Sequence, residues 1–392
     1  MNTISNREKS MSNELELLLE LLKNKNKEVL CKLSPLIKKV NWTELFRLAR
    51  YHRVNPIVYK KLKQLNTELV PNQILREFHD HYLANTMRMM QLTAEMERVC
   101  SIFNLHKLNV LVLKGPVLSY QLYKDLSSRT SNDLDFLISI EDLDASTEIL
   151  KDLGYQIAYE PPRLLQDWKV QNHHIEFYNY EKNCEIEVHW KLNPGPTNEP
   201  SFCEMWDKRV QIPVTTTPIN SLSEEYLLFH LITHGARHGW FRMRWLTDID
   251  QLLRLHHQHG KLILMLKRYK YSHLIGQYVQ LAKALLDVEL SSDLESFALT
   301  RRSQHLASQA LAFIDDNINI DAPPDTFWMK KSKRYLYAIK SHSQKWQLLI
   351  RKAQPNSWDA QVLPLPRALH FLYFPLRPFI GIWRCVQKKD NH

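Results

Sequence analysis

Two aspartates, Asp133 and Asp135, open the apolar run Leu134-Asp135-Phe136-Leu137-Ile138. Side chains alternate along a strand, so two residues two apart project from one face while Leu134 and Phe136 take the other. Carboxylates held that close repel and want a cation, and hard oxygen ligands select Mg2+ or Mn2+ over zinc. An isolated Asp-x-Asp reads rather as a strand entering from the polar turn Ser131-Asn132-Asp133. This one is not isolated. Upstream, the run Val110-Leu111-Val112-Leu113 ends at Lys114-Gly115-Pro116 and gives way to a helical stretch near Val117 to Tyr123. Gly115 permits close backbone approach, Pro116 fits the first helical position, and a helix N-terminus beside a lysine ammonium suits a phosphate. Arg129 adds a planar donor for phosphate oxygens.

Nucleotidyl transfer driven by two metals needs a third carboxylate. The strand Glu185-Ile186-Glu187-Val188-His189-Trp190 offers Glu185, Glu187 and His189 on one face. Glu187 is the first choice and Glu185 the alternative; an exposed edge strand would also account for both acids.

The elements around these residues fall into three stretches. Residues 1–105 carry helical periodicity, punctuated by Pro56 and Pro71, with a long helix expected from Pro71-Asn72 to about Asn104. In it, His52-Arg53 reads as a solvated helix end or as a ligand contact. Residues 106–217 alternate short strands, including Val210 to Val214, with helices, the second running from about Leu143 to Leu153 and stopped by Gly154. Residues 218–392 return to helices, starting at Ser221-Leu222-Ser223-Glu224-Glu225 with a serine cap and broken at Asp321-Ala322-Pro323-Pro324 and Pro364-Leu365-Pro366. The fold class expected is α+β, a small mixed-sheet core between N- and C-terminal helical regions.

On a helix, His230, His234 and His238 make a stripe. It reads as a zinc site, as a cleft border with Arg237, Arg242 or Arg244, or as interdomain packing, with Gly235 and Gly239 as candidate helix ends. Asp248 reads as a partner for one of these cations or as a cap. The aromatic stretch from Ala368 to Trp383 is too broken by Pro375, Arg377 and Pro378 to span a membrane. It reads as a packed terminal segment, or as a surface for membrane or a partner.

The 392 residues are 44% hydrophobic, enough for two or three domains. Only 8 are glycine, against about 27 at a typical usage of roughly 7%. Neither a dinucleotide-binding nor a P-loop glycine motif is present. The net charge of +10 favours anionic ligands, but the basic residues are dispersed and match no nucleic-acid-binding motif, which argues against nucleic acid as a partner. Five cysteines without a Cys-x-x-Cys argue against zinc knuckles and disulfide frameworks. With no signal-peptide pattern at the start of the sequence, they lead to the expectation of a cytoplasmic protein.

The string Val112-Leu113-Lys114-Gly115-Pro116-Val117-Leu118, then Leu122-Tyr123, Arg129 and Asp133-Leu134-Asp135-Phe136-Leu137-Ile138, resembles the uncharacterised nucleotidyltransferase family of the DNA polymerase β superfamily. Ile186-Glu187-Val188-His189-Trp190 is similar to its third-carboxylate strand. The segments His234 to Trp240, Arg244 to Asp248 and Leu48 to Pro56 also look family-like, and the resemblance fades beyond about Leu255. It implies a nucleotidyltransferase core with Mg2+ on Asp133, Asp135 and the later acid, and a triphosphate cradled at Lys114-Gly115 with Arg129. Tyr123, Glu185, His189, His234, His238, Arg244 and Asp248 are the expected cleft residues. Two departures stand out: Lys114-Gly115 replaces the wider superfamily's glycine-serine or glycine-glycine, and Glu187 stands where aspartate is usual. The function expected is transfer of a nucleoside monophosphate from a nucleoside triphosphate, with ATP the expected donor, to a small-molecule, peptide or protein acceptor. A binding module on the same fold and a polymerase-like enzyme are the alternatives.

Overall fold

The computed structural model describes residues 11–23, 33–65, 69–160, 165, 167–255, 259–315 and 326–390. Cys31 and the expected break at Asp321 to Pro324 lie outside them. Helices α1 (Asn13–Leu22), α2 (Trp42–Tyr51), α3 (Asn55–Leu62) and α4 (Asn72–Leu105) precede the sheet. Their starts are set locally. Ser12 Oγ accepts the Leu15 N–H at 3.2 Å, Asn41 Oδ1 accepts the Glu44 N–H at 3.2 Å, α3 has Pro56 in its first turn, and α4 begins just after Pro71.

The strands are β1 (Val110–Val112), β2 (Asp133–Ile138), β3 (Gln156–Ile157), β4 (His174–Asn179), β5 (Cys184–His189), β6 (Val210–Ile212) and β7 (Ile219–Ser221). They form one sheet in the order β3-β4-β5-β2-β1-β7-β6, mixed because β2/β5 and β1/β7 run parallel and the other neighbours antiparallel. Helices α5 (Pro116–Tyr123) and α6 (Leu143–Asp152) connect strands. After the sheet come α7 (Glu224–Arg237), α8 (Met243–Leu255), α9 (Ser272–Leu286), α10 (Arg301–Asp315), α11 (Thr326–Ala338), α12 (His342–Ala353) and α13 (Tyr373–Asp390), with shorter helices between them.

Strand alternation splits the core in two. Val112, Leu134, Phe136, Ile186 and Val188 pack against the second half of α4 (Met89 to Phe103) and against α6. Leu111, Leu113 and Leu137 belong to a larger cluster with the N-terminal helices and α7 to α10. The 34 residues of α4, about 51 Å long at the helical rise, enter both clusters and tie the helical layer to the far side of the sheet. Asp133 and Asp135 share the Leu137 face. The acids therefore lie between the sheet and the helical layer.

Three expectations need correction. Gly235 does not end a helix: it lies inside α7, where an added Cβ would meet the Trp240 ring at 2.5 Å. Gly239, with φ +64°, follows the helix end. Ser223 holds the N-cap position of α7, but its hydroxyl makes no capping bond. The C-terminal segment is packed only in part: Tyr373 and Ile380 are buried, whereas Phe371, Phe374, Phe379, Ile382 and Trp383 are exposed, because α13 continues through Pro378 and offers just one face to its neighbours. Among the described residues, no helix is long and apolar enough to cross a membrane.

Candidate active site

Parallel pairing of β2 with β5 sets Asp133 opposite Glu185 and Asp135 opposite Glu187. On the other side of β5, antiparallel β4 sets Glu176 opposite Glu187 and His174 opposite His189. Five carboxylates thus occupy one face of three adjacent strands.

Asp135 is the centre of this face and is wholly buried. Its Oδ1 takes the Lys114 ammonium at 2.8 Å and lies 3.3 Å from His189 Nε2, while its Oδ2 is buried without a partner. Burial alone would raise the Asp135 carboxyl; Lys114 and His189 outweigh it and hold the group well below the usual carboxylate range. His189 Nε2 is also 2.9 Å from Glu187 Oε2. Burial disfavours the imidazolium, but the two carboxylates prevail and raise its pKa. Glu185 shifts the opposite way from Asp135: burial, then Asp133 and Glu187, push its carboxyl up. Among the described residues, the side chains close enough to share one ion are Asp135 with Glu187 and His189, His174 with Glu176 and Glu187, and His173 with His174 and His189. Asp133 is in none of these sets; its Oδ1 accepts from Ser131 Oγ at 3.1 Å.

Gly115 has φ +71°, a conformation that turns the chain from β1 into α5 and that L side chains adopt only with strain. It places Lys114 beside β2, with an added Cβ at 3.5 Å from the Asp133 carbonyl.

The facing wall is basic. Arg244 is buried and donates through Nη1 to the Thr130 carbonyl at 2.7 Å. Burial, then Arg129 and Arg53, drive its pKa well below the ordinary value, with Asp248 and Asp133 opposing. Burial and Arg53 lower Arg242 to about 10. Arg53, in a left-handed conformation (φ 55°) just past α2, is also lowered by burial and is drawn back by Asp133. Three guanidiniums therefore lie in the field of Asp133, and the Nε atoms of Arg242 and Arg244 are buried without partners. Such an excess of buried positive charge suits a polyanion.

The remaining expected residues take other places. Arg129 is buried, 3% exposed, and its Nε donates to Asp248 Oδ2 at 3.0 Å. Tyr123 donates to Asp248 Oδ1 at 3.1 Å. Asp248 is thus a buried counter-ion within α8, not a helix cap. The histidine stripe is not among the ion-sharing sets, and one helix face spreads its rings, with His230 and His234 centroids 5.6 Å apart. His230 is buried with neither ring nitrogen partnered, in the field of Lys114 and Asp135; burial, then Lys114, lower its pKa strongly. Arg237 donates to His173 Nε2 at 2.9 Å and to His234 Nδ1 at 3.2 Å, joining α7 to the sheet. His238 follows the helix end and stacks on Trp245 at 5.1 Å between ring centroids.

Sequence analysis does not single out β4, so Glu176, His173 and His174 are additions from the structure. The signal exists, since His174-Ile175-Glu176-Phe177-Tyr178-Asn179 alternates polar and apolar residues.

A mixed sheet carrying an acidic face with a lysine-glycine turn beside it defines a nucleotidyltransferase core. The model of the family described as "Uncharacterised nucleotidyltransferase" matches residues 38–287, and the chain belongs to that family. No curated protein matches the chain. Among solved structures, JHP933 from Helicobacter pylori is similar at 15% identity, with 64% of this chain and 98% of that one covered and a TM-score of 0.26.

Proposed function

We propose that the protein transfers a nucleoside monophosphate from a nucleoside triphosphate to a hydroxyl or phosphate of an acceptor. The observation that carries this reading is the unpartnered Oδ2 of Asp135 at the centre of five carboxylates, with the unpartnered Nε atoms of Arg242 and Arg244 nearby. The acidic face fits Mg2+ or Mn2+ through its carboxylate oxygens, one of which, Asp135 Oδ2, is free, with His189 Nε2 beside them. Asp133, Asp135 and Glu187 would hold the metal, which when bound supplies Lewis-acid polarisation of the α-phosphate and charge neutralisation.

The chain's own residues do the rest. Lys114 and the N-terminus of α5 orient the triphosphate, and Arg53 and Arg242 neutralise it as charge develops on the leaving pyrophosphate. Arg129, tied to Asp248, holds the turn before Asp133 in place. The acceptor oxygen bonds to the α-phosphorus, the bond to the β-phosphate oxygen breaks, and the acceptor proton passes to Glu185, whose raised pKa suits a proton acceptor.

The test is incubation with α-labelled nucleotides, Mg2+ or Mn2+ and cell extract, comparing wild type with Asp133→Ala/Asp135→Ala. Label transferred equally by both proteins overturns the assignment. One observation favours a second reading, nucleotide binding without turnover: Lys114 and His189 already occupy Asp135 Oδ1, and Asp133 lies outside the ion-sharing sets. Calorimetric Mg-nucleotide binding with no pyrophosphate release across a broad acceptor panel would establish it.

A further inference from the structure

Arg237 and His238, at the end of α7, help to line a cavity of about 820 Å3. Its walls come from the loop at Asn193 to Thr197, the end of α7, the start of α9, and α10 to α12. Phe241, Tyr271, Phe313, Trp328 and Tyr335 supply an aromatic lining. The charged lining residues are Arg237, Lys333 and Lys340, with no aspartate or glutamate among them. Lys340 is half-buried, and burial and the neighbouring Arg351 lower its pKa. Arg237 stands in both places: it lines the cavity, contacts His173 and His234, and lies in the field of Glu187 and Asp135.

We infer that this cavity is the acceptor subsite and takes a small amphipathic molecule with an apolar or aromatic body, an anionic group and a hydroxyl that reaches past Arg237 to the transfer site. The inference rests on the transferase reading above. The volume lies within the range of small-molecule pockets and is too small for a folded protein. Aromatic walls take the apolar body; Glu199, behind the lining at Asn193, offsets part of the charge of Arg237, and Lys333 and Lys340 leave the lining cationic, which selects an anion over a cation.

The probes are 1-anilinonaphthalene-8-sulfonate, followed by fluorescence, and three competitors with one body: 12-hydroxydodecanoate, 12-aminododecan-1-ol and 1,12-dodecanediol. The expected result is displacement by the hydroxy acid at least about ten-fold more tightly than by the amine, with the diol between. Lys333→Glu/Lys340→Glu should reverse that order, and Ser332→Trp, which fills the cavity, should abolish probe binding. Mg-ATP affinity should stay within about two-fold of wild type in both variants. Equal binding of acid and amine overturns the inference, as does a loss of Mg-ATP affinity parallel to the loss of probe, which would make the cavity a base pocket. Probe binding with the expected charge order but no nucleotide binding by wild type would instead refute the transferase reading.

Discussion

Arg129 and Asp248 stand 119 positions apart in the chain, yet Arg129 Nε donates to Asp248 Oδ2 at 3.0 Å, with both side chains almost wholly buried. Tyr123 accompanies them through its hydroxyl. The pair fastens the turn that leads into Asp133 to helix α8, so the first carboxylate of the site is positioned by a contact with the C-terminal helices. Removing one partner leaves a buried charge unmatched, which costs about 3–5 kcal/mol. Asp248→Ala should therefore lower the denaturant midpoint sharply, and Arg129→Met/Asp248→Leu should recover most of the loss. A double-mutant cycle by urea unfolding measures this, and strictly additive losses would refute the coupling.

On the proposed mechanism, Asp135 carries the largest catalytic demand. Asp135→Asn keeps the shape but removes the charge that faces Lys114 and His189. Pyrophosphate release should fall about a thousand-fold, equivalent to about 4 kcal/mol of transition-state stabilisation. Glu185→Gln should instead reduce turnover while Mg-nucleotide affinity holds, as expected of a proton acceptor that does not ligate. Equal losses of affinity in both variants would argue against separate roles.

Gly115 tests the turn. An alanine Cβ there would find ordinary contacts at 3.5 Å and 3.6 Å, so the penalty comes from φ +71° with ψ −139° and amounts to about 1–3 kcal/mol. Gly115→Ala should lower the thermal midpoint modestly and weaken nucleotide binding more than stability, because it displaces Lys114 and the start of α5. Unfolding curves and calorimetry on the same preparation check the two effects. A stable variant with unchanged affinity would remove the turn from the phosphate site.

Acid should destabilise the protein well above the carboxylate range. Burial lowers His52 to about 3 and His273 to about 4, against 6.5 when unfolded. The unfolded chain then binds more protons than the folded one at intermediate pH, so stability is complete above about 6.5 and declines as pH falls towards 4 and then 3. Each histidine contributes about 1.4 kcal/mol per pH unit in that window. Urea unfolding between pH 7.5 and 5 should show the slope, and His52→Gln should reduce it by one histidine's share, with His273, His230, His234 and His238 still contributing. A flat profile in wild type would show that both rings charge freely in the folded state.

Much of the site is legible in the sequence because its cues are local. Period-two alternation puts Asp133 with Asp135 and Glu185 with Glu187, and glycine followed by proline marks the turn at Lys114. The long helix from Asn72 and the stop at Gly154 follow from punctuation and periodicity in the same way. Those patterns act over a few residues, and the backbone obeys them wherever the segment lies.

What only the tertiary structure decided is which faces meet. Strand order set Glu187 beside Asp135 and brought Glu176 and His174 in on β4. Packing of α2, α7 and α8 over the sheet carried Arg53, Arg242 and Arg244 into the field of Asp133 and gave Arg129 to Asp248. No local rule predicts such meetings: burial and charge compensation between segments far apart in sequence depend on the path of the whole chain. The histidine stripe shows the same division. Helical spacing lined up His230, His234 and His238, but the surface packed against each ring decided their places: His230 is buried with neither nitrogen partnered, His234 accepts from Arg237 and His238 stacks on Trp245.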